Sequence, residues 1–254
     1  GRPMNQVSPF TRWLARSPLA FTLLASASAF GAYTCMYAFR KPFTAGTFAG
    51  QELWGFQLKV LLVVAQMIGY VLSKFTGIKV VSEAKPGTRI LMIVGLHAVA
   101  WLGLLMLATL PPSFGLIGML LNGLPLGMIW GLVFSFLEGR RVTEFLGLGL
   151  SVSFIFASGW VKSVGGLVMK VWGVGEFWMP AVTAALFVPP LALCLFLMSK
   201  LPPPDDRDVA ERTKREPMDR AARRRLLGEL GVPLALLVVI YVLLSVYRDL
   251  RDTF

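Results

Sequence analysis

Cations and tyrosines recur at helical spacing within the most apolar parts of this sequence. Tyr33, Tyr37 and Arg40 are four and three residues apart, and Tyr70 precedes Lys74 by four, so each group falls on one face of a helix. Phenol hydroxyls beside a cation offer hydrogen-bond donors, and their rings offer an aromatic wall, to an anionic ligand. The alternative for each pair is a tyrosine at a membrane interface beside a cation whose head reaches water.

Three further cations lie in or at the end of apolar stretches. Lys162 lies well inside a long stretch, whereas Arg248 and Arg251 end another, where Asp252 offers a neutralising partner. A cation near the bilayer centre costs about 2.5–3.5 kcal/mol, and such residues usually face the interior of a helix bundle. The apolar stretches up to residue 199 hold no Asp or Glu in their middles. The sequence therefore predicts that the neutralising charge arrives with an anionic substrate.

Two placements in this set stay open. A first helix that continued past Pro42 to about residue 48 would enclose Arg40, and one that ended sooner would leave Arg40 at the interface. Lys74 has Lys79 shortly after it, so its head could reach the inner membrane surface instead of the bundle interior.

Catalytic, metal and redox chemistry have little support. His97 is the single histidine and is typical of a structural donor, and Cys35 and Cys194 both lie in apolar stretches without metal or redox spacing. Ser158 and His97 occur in the reverse of the order found in rhomboid-type intramembrane proteases. We therefore predict no enzymatic activity, no cofactor and no metal site.

The composition is that of a chain that crosses a membrane several times. Of 254 residues, 56% are hydrophobic and 15% charged, with a mean hydropathy of +0.67, whereas soluble domains carry about 25% charged residues. A spanning helix needs roughly 20 apolar residues. Seven spans are predicted near 19–40, 57–76, 90–110, 113–137, 145–169, 176–199 and 230–250. The fold class is an all-α polytopic membrane protein.

Charge and composition divide the chain into four segments. These are an N-tail over 1–18, a six-helix bundle over 19–199, a charged linker over 200–229 and a further helix over 230–254. Most Lys and Arg residues fall in the N-tail, the linker and alternate connections, which predicts a cytoplasmic N-terminus because cytoplasmic loops collect these residues. The net charge of +11 then reflects membrane topology, so the bilayer and not nucleic acid is the predicted partner.

Small residues recur at every fourth position on three predicted spans, including Ser153 and Ala157 on the fifth. Gly123, Gly127 and Gly131 do so on the fourth, and Ala25 and Ala29 on the first. Because lipid supplies no hydrophobic drive between helices, such faces let helix backbones pack closely. The pattern indicates a compact bundle and no particular activity.

The span layout and the central linker resemble the N-terminal half of a major facilitator superfamily transporter plus the first helix of the second half. Local motifs are similar to those of the organophosphate:phosphate antiporters. The matching elements are Tyr37-Ala-Phe-Arg40-Lys41, Tyr70 ahead of Ser73-Lys74-Phe75, Gly127-Met128-Ile129-Trp130 and Lys162-Ser163-Val164-Gly165-Gly166. "YAFRKPFTA" also resembles an element of an uncharacterised bacterial membrane-protein family.

The resemblance implies an alternating-access carrier of a phosphorylated or other organic anion, exchanged with phosphate, in a bacterial inner membrane. Arg40 and either Arg248 or Arg251 would bind the anion, and Lys74 and Lys162 would add charge. Aromatic side chains would line the path: Tyr33, Tyr37, Tyr70 and Trp130. The antiporters have a histidine at the position of Lys162, so the substrate or the coupling would differ.

Two expectations qualify this function. The loop after the second span, "KVVSEAKPGTR", keeps little of the superfamily's Asp-Arg-x-Gly-Arg-Arg pattern, so a transport-incompetent anion sensor or scaffold of the same fold is the alternative. A carrier of this kind also needs a second six-helix half. We therefore expect either that the chain is a fragment or that a second copy completes the cavity.

Overall fold

The computed structural model describes residues 9–84, 87–137 and 143–202, together with 224–225, 228–233, 235–237, 239–240, 243–244 and 247. Arg248 and Arg251 lie outside the described residues. The chain divides into two compact units, Gly1–Ala210 and Glu211–Phe254. In the second unit the described residues are helical, and the first unit carries the architecture that follows.

Eight α-helices make up the described part of the first unit. They are α1 Pro9–Arg16, α2 Pro18–Arg40, α3 Leu58–Ser82, α4 Arg89–Thr109, α5 Pro112–Phe134, α6 Thr143–Trp172, α7 Met179–Leu186 and α8 Val188–Ser199. A 3₁₀ turn, Pro42–Ala45, follows α2, and two short strands, β1 Glu52–Leu53 and β2 Phe56–Gln57, precede α3. The strands pair as an antiparallel hairpin, whose turn places Trp54 and Gly55 at positive φ, as a type I′ turn requires.

Within the residues that the structure describes, five stretches of helix are long and apolar enough to cross a membrane, by length and composition. They are Pro18–Arg40, Leu58–Gly77, Arg89–Thr109, Pro112–Phe134 and Met179–Ser199. The 30 residues of α6 occupy the place of the fifth predicted span. The prediction of an all-α polytopic membrane protein is confirmed. The major-facilitator arrangement, the cytoplasmic N-terminus and the boundaries of the linker stay predictions.

The structure differs from the seven predicted spans in two places: one span is interrupted, and the N-tail contains a short helix. The stretch Met179–Ser199 is interrupted at Phe187, because Pro189 and Pro190 have no N–H to donate to the preceding turn. The N-tail contains α1, an eight-residue helix that buries Leu14 and leaves Trp13 exposed.

The small residues of α5 lie where that helix meets α3. A Cβ at Gly127 would fall against the side chain of Ser73, and one at Gly131 would lie 3.1 Å from Val81 Cγ1. A Cβ at Gly123 would collide with the backbone carbonyl of Gln66. Glycine is therefore what permits α3 and α5 to approach at backbone distance.

Candidate functional site

The first spanning helix ends at Arg40 because of the proline that follows. Pro42 has no N–H for the carbonyl of Ala38 and begins the 3₁₀ turn. The N–H of Lys41 donates to Tyr37 O at 2.9 Å and closes the last turn. Helix α2 therefore stops at Arg40, yet Arg40 and Lys41 are only 5% and 6% exposed.

Two side-chain amides cap the carbonyls at this helix end. Gln66 Nε2, on α3, donates to Arg40 O at 3.0 Å, and Asn122 Nδ2, on α5, donates to Phe39 O at 3.0 Å. Carbonyls in the last turn of a helix have no partner within the helix, and buried ones need one. The amides supply it in place of the water that would do so at a surface.

The two amides also bind each other and a fourth helix. Gln66 Nε2 donates to Asn122 Oδ1 at 2.7 Å, and Asn122 Nδ2 donates to Ala100 O on α4 at 2.8 Å. Gln66 is 5% exposed and Asn122 fully buried. We call Gln66 and Asn122 the amide pair; it joins α2, α3, α4 and α5 through backbone carbonyls and a side-chain contact.

The amide pair lies at mid-depth of the spanning helices. At 1.5 Å per residue, Gln66 is about 12 Å and Tyr70 about 18 Å along α3 from Leu58, in a stretch about 30 Å long. Asn122 is likewise about 15 Å from the start of α5. Arg40 is therefore at a helix end that lies inside the bundle, which is neither of the two placements that the sequence allowed.

Arg40 meets the tyrosine and the lysine of α3. Its Cζ lies 4.1 Å from the centroid of the Tyr70 ring, and Lys74 Nζ lies 4.7 Å from the same centroid. Each cation–π contact is worth about 0.5–2 kcal/mol, more where it is desolvated. Tyr70 is half-buried and Lys74 exposed. Two cations from different helices thus converge on one aromatic ring.

The remaining aromatic candidates have contacts of their own. Tyr33 and Tyr37 are buried and meet edge to face, with ring centroids 5.5 Å apart. Trp130 stacks on Phe134 at 4.9 Å, and its buried indole N–H has no hydrogen bond to any residue that the structure describes.

Lys162 is half-buried on α6, one turn before Gly165. A Cβ at Gly165 would lie 3.3 Å from Pro42 Cβ, so α6 packs against the turn that follows Arg40. Lys162 therefore lies on the helix that packs against the turn after Arg40. The structure brings the two helices together but does not pair Lys162 directly with Arg40 in its described contacts. Arg248 and Arg251, the predicted anion ligands of the seventh span, lie outside the described residues.

A comparison with known protein families gives a match. A model of a family of unknown function, DUF5690, matches residues 42–254. The chain belongs to the DUF5690 family. No curated protein and no solved structure matches it significantly.

A carboxylate binds the segment after Arg40 at residues 47 and 48. Glu176, in the connection between α6 and α7, accepts hydrogen bonds from Thr47 N–H and Oγ1, both at 2.8 Å, and from Phe48 N–H at 2.7 Å. Phe48 has a φ of 50°, unusual for a bulky residue, and its buried ring packs edge to face on Phe177. These contacts stabilise a backbone conformation that would otherwise be strained.

The pKa of the Glu176 carboxyl reflects these contacts. Partial burial acts to raise the pKa, but the hydrogen bonds from Thr47 and Phe48 and the positive charge of Lys59 outweigh burial and lower it from 4.5. Glu176 is therefore a carboxylate at neutral pH and an acceptor only.

Three residues of this DUF5690 member that organise the site were not among the predicted ones: Gln66, Asn122 and Glu176. A signal for two of them exists in the sequence, since Asn122 and Gln66 are uncharged polar groups in the middle of long apolar stretches. A polar side chain at such a position requires a partner. No feature of the sequence pairs Glu176 with residues 129 positions earlier.

Proposed function

We propose that this protein is a secondary transporter of a phosphorylated or other organic anion, working by alternating access in a bacterial inner membrane. One observation carries the proposal: Arg40 and Lys74, from two helices, converge on the ring of Tyr70 at mid-depth. Two cations that contact one ring repel each other, and an anion beside them offsets that repulsion.

The composition of the spans supports an anion over a cation as the substrate. The five apolar spanning stretches contain no Asp or Glu. An anion that entered would find guanidinium and ammonium donors of charge-assisted hydrogen bonds. The Tyr70 ring contacts both of these cations, with its centroid 4.1 Å from Arg40 Cζ and 4.7 Å from Lys74 Nζ.

The proposal assigns the other candidates by position. Tyr33, Tyr37 and Trp130 line the approach, and Lys162 adds positive charge from α6. Arg248 and Arg251 stay anion-binding candidates from the sequence alone. By resemblance to the major facilitator superfamily, the six-helix bundle is one half of the carrier. A further half, or a second copy of this chain, supplies the opposite wall of the cavity, and exchange with phosphate follows because an empty cationic site resists reorientation.

Phosphate exchange in proteoliposomes tests the proposal. Vesicles that contain the purified protein and are loaded with unlabelled phosphate should take up labelled phosphate, and a small organophosphate ester outside should compete. Arg40→Ala should lower the rate at subsaturating phosphate by about 100-fold, because charge-assisted bonds to the anion are lost. The matched control is Lys170→Ala, which removes an exposed cation in the last turn of α6 and should exchange like the wild type.

The other results separate the alternatives. Saturable, Arg40-dependent binding of phosphate without exchange would identify an anion sensor or scaffold. Exchange that is equal in Arg40→Ala and the wild type, with both proteins folded by thermal melting, would remove Arg40 from the site and contradict the proposal.

A further inference from the structure

The amide pair holds the backbone of the residue whose side chain meets Tyr70. Gln66 Nε2 binds the carbonyl of Arg40 at 3.0 Å, and Asn122 Nδ2 binds the carbonyl of the preceding residue, Phe39, at the same distance. Both carbonyls belong to the final turn of α2, directly before the chain leaves the helix. The backbone of this turn is thus fixed from two other helices.

Helix α3 contacts both the backbone carbonyl and the guanidinium of Arg40. Gln66 and Tyr70 are four residues apart on α3, so they lie one above the other on the same face. Gln66 binds the carbonyl of Arg40, and the Tyr70 ring lies 4.1 Å from the guanidinium carbon. The separation of about 6 Å between these two positions on α3 is spanned by the Arg40 side chain.

We propose that the Gln66–Asn122 amide pair is the positioning element of Arg40, which sets the guanidinium over Tyr70 in the geometry that binds an anion. This inference rests on the proposed anion-binding function of Arg40. It adds that the affinity depends on two uncharged side chains that donate to backbone carbonyls and have no charge to offer the anion.

The reason lies in how α2 ends. The last turn of a helix frays unless its carbonyls have partners, and here the 3₁₀ turn begins at Pro42, which cannot donate. With the amides in place the last turn has one position. Without them, Arg40 samples several positions, and the anion has to select the productive one at a cost in affinity.

Gln66→Met tests the proposal because methionine has nearly the same length and no donor. The control is Ser73→Ala on the same helix: Ser73 is fully buried, and its hydroxyl has no hydrogen bond to the described part of the chain. Two measurements apply to the full chain in lipid nanodiscs. One is the dissociation constant for labelled phosphate. The other is the rate at which an arginine-selective dicarbonyl modifies Arg40, located by mass spectrometry and referred to exposed Arg12.

Gln66→Met removes two buried hydrogen bonds, to Arg40 O and to Asn122 Oδ1. It should bind phosphate about tenfold more weakly, and its Arg40 should react several-fold faster relative to Arg12. Ser73→Ala should match the wild type in both. Gln66→Asn, which keeps the amide but is one methylene too short for both partners, should fall between them. It also serves as the test variant if Gln66→Met does not fold.

A lower melting temperature in Gln66→Met with unchanged Arg40 reactivity and affinity would assign the pair a merely structural role and overturn the proposal. Wild-type protein that binds no phosphate would contradict the proposed function but not the positioning role, which the Arg40 reaction rates then decide alone. Equal rates in the wild type and both Gln66 variants would overturn it.

Discussion

The interface between α3 and α5 and the end of α2 lie at the same depth but are stabilised in different ways. Along α3 and α5, Gly69, Gly123 and Gly127 bring backbone atoms into direct contact, so atomic size decides the fit. At the end of α2, the backbone carbonyls of Phe39 and Arg40 are satisfied by side-chain amides, so hydrogen-bonding capacity decides it.

The two regions depend on each other through neighbouring residues. Gly123 meets the backbone carbonyl of Gln66, and the side chain of Gln66 meets Asn122, the residue before Gly123. A longer distance between α3 and α5 would take the two amides out of hydrogen-bonding range. Close packing at the glycines is thus a precondition for the hydrogen bonds of the amide pair. Variants in the two regions should differ in how much stability they lose.

Gly123→Val should have the largest effect. Its Cβ would collide with the carbonyl of Gln66, which is backbone and has no other rotamer to adopt. Separating the helices should cost about 3 kcal/mol or more and lower the melting temperature, followed by tryptophan fluorescence in detergent.

The matched control for that variant is Gly95→Ala on α4. Gly95 is exposed, and a Cβ there would have no atom within 4 Å. Its melting temperature should be unchanged or slightly higher, since alanine favours the helix over glycine. A drop in Gly95→Ala as large as that in Gly123→Val would show that helical glycines matter for a reason other than close packing.

Asn122→Ala should have the next largest effect. It removes the donor to Phe39 O and Ala100 O and the acceptor for Gln66 Nε2, and it leaves buried polar groups without partners. Hydrogen bonds between membrane helices average about 0.6 kcal/mol, and orphaned groups cost more. We expect about 2 kcal/mol of lost stability by reversible unfolding in mixed micelles.

Thr183→Val is the control for burial of a polar side chain. Thr183 is fully buried, and its hydroxyl has no hydrogen bond to any residue within the described ranges. The valine variant should be as stable as the wild type or more so. If Asn122→Ala were equally neutral, the amide pair would contribute nothing to stability and the comparison between the two regions would fail.

The close packing of α3 and α5 at the glycines could be predicted from the sequence, and the hydrogen bonds of the amide pair could not. Spacing every fourth residue at Gly123, Gly127 and Gly131 predicts a close-packed helix face, because the pattern lies within one helix. Hydrogen bonds of Asn122 to three other helices depend on tertiary distances that no local pattern encodes. The polarity of Asn122 in an apolar stretch signals only that a partner exists.

The candidate site was partly predictable for the same reason. Tyr70 and Lys74 share a helix, so their four-residue spacing places them on one face. The depth of Arg40 depends on the position of α2 relative to α3, which sequence leaves open. The burial of Lys41 has no signal in the sequence, since two adjacent cations before a proline are typical of a helix that has reached water.

Glu176→Gln should have the smallest effect on stability. It tests whether hydrogen bonds near the surface contribute less than the buried ones of the amide pair. Glu176 accepts hydrogen bonds from Thr47 and Phe48 in the same segment that begins at Arg40, but in an exposed connection. Solvent-exposed charged contacts are worth below about 1 kcal/mol. Its melting temperature should fall less than that of Asn122→Ala at pH 7. Glu52→Gln, in the exposed hairpin, is the matched control and should melt like the wild type.

The effect of Glu176→Gln should depend on pH in one direction. Because the pKa of Glu176 is lowered in the folded protein from 4.5, its stabilising contribution is fully present above that ordinary value. It is lost as pH falls through the lowered pKa, where the folded carboxylate takes up a proton and ceases to be an anionic acceptor. The difference in melting temperature between wild type and Glu176→Gln should therefore be constant from pH 7 to about 5 and shrink below it. A difference that stays constant into acid would mean that the uncharged amide fails for reasons of shape, and that the charge of Glu176 does not hold the segment after Arg40.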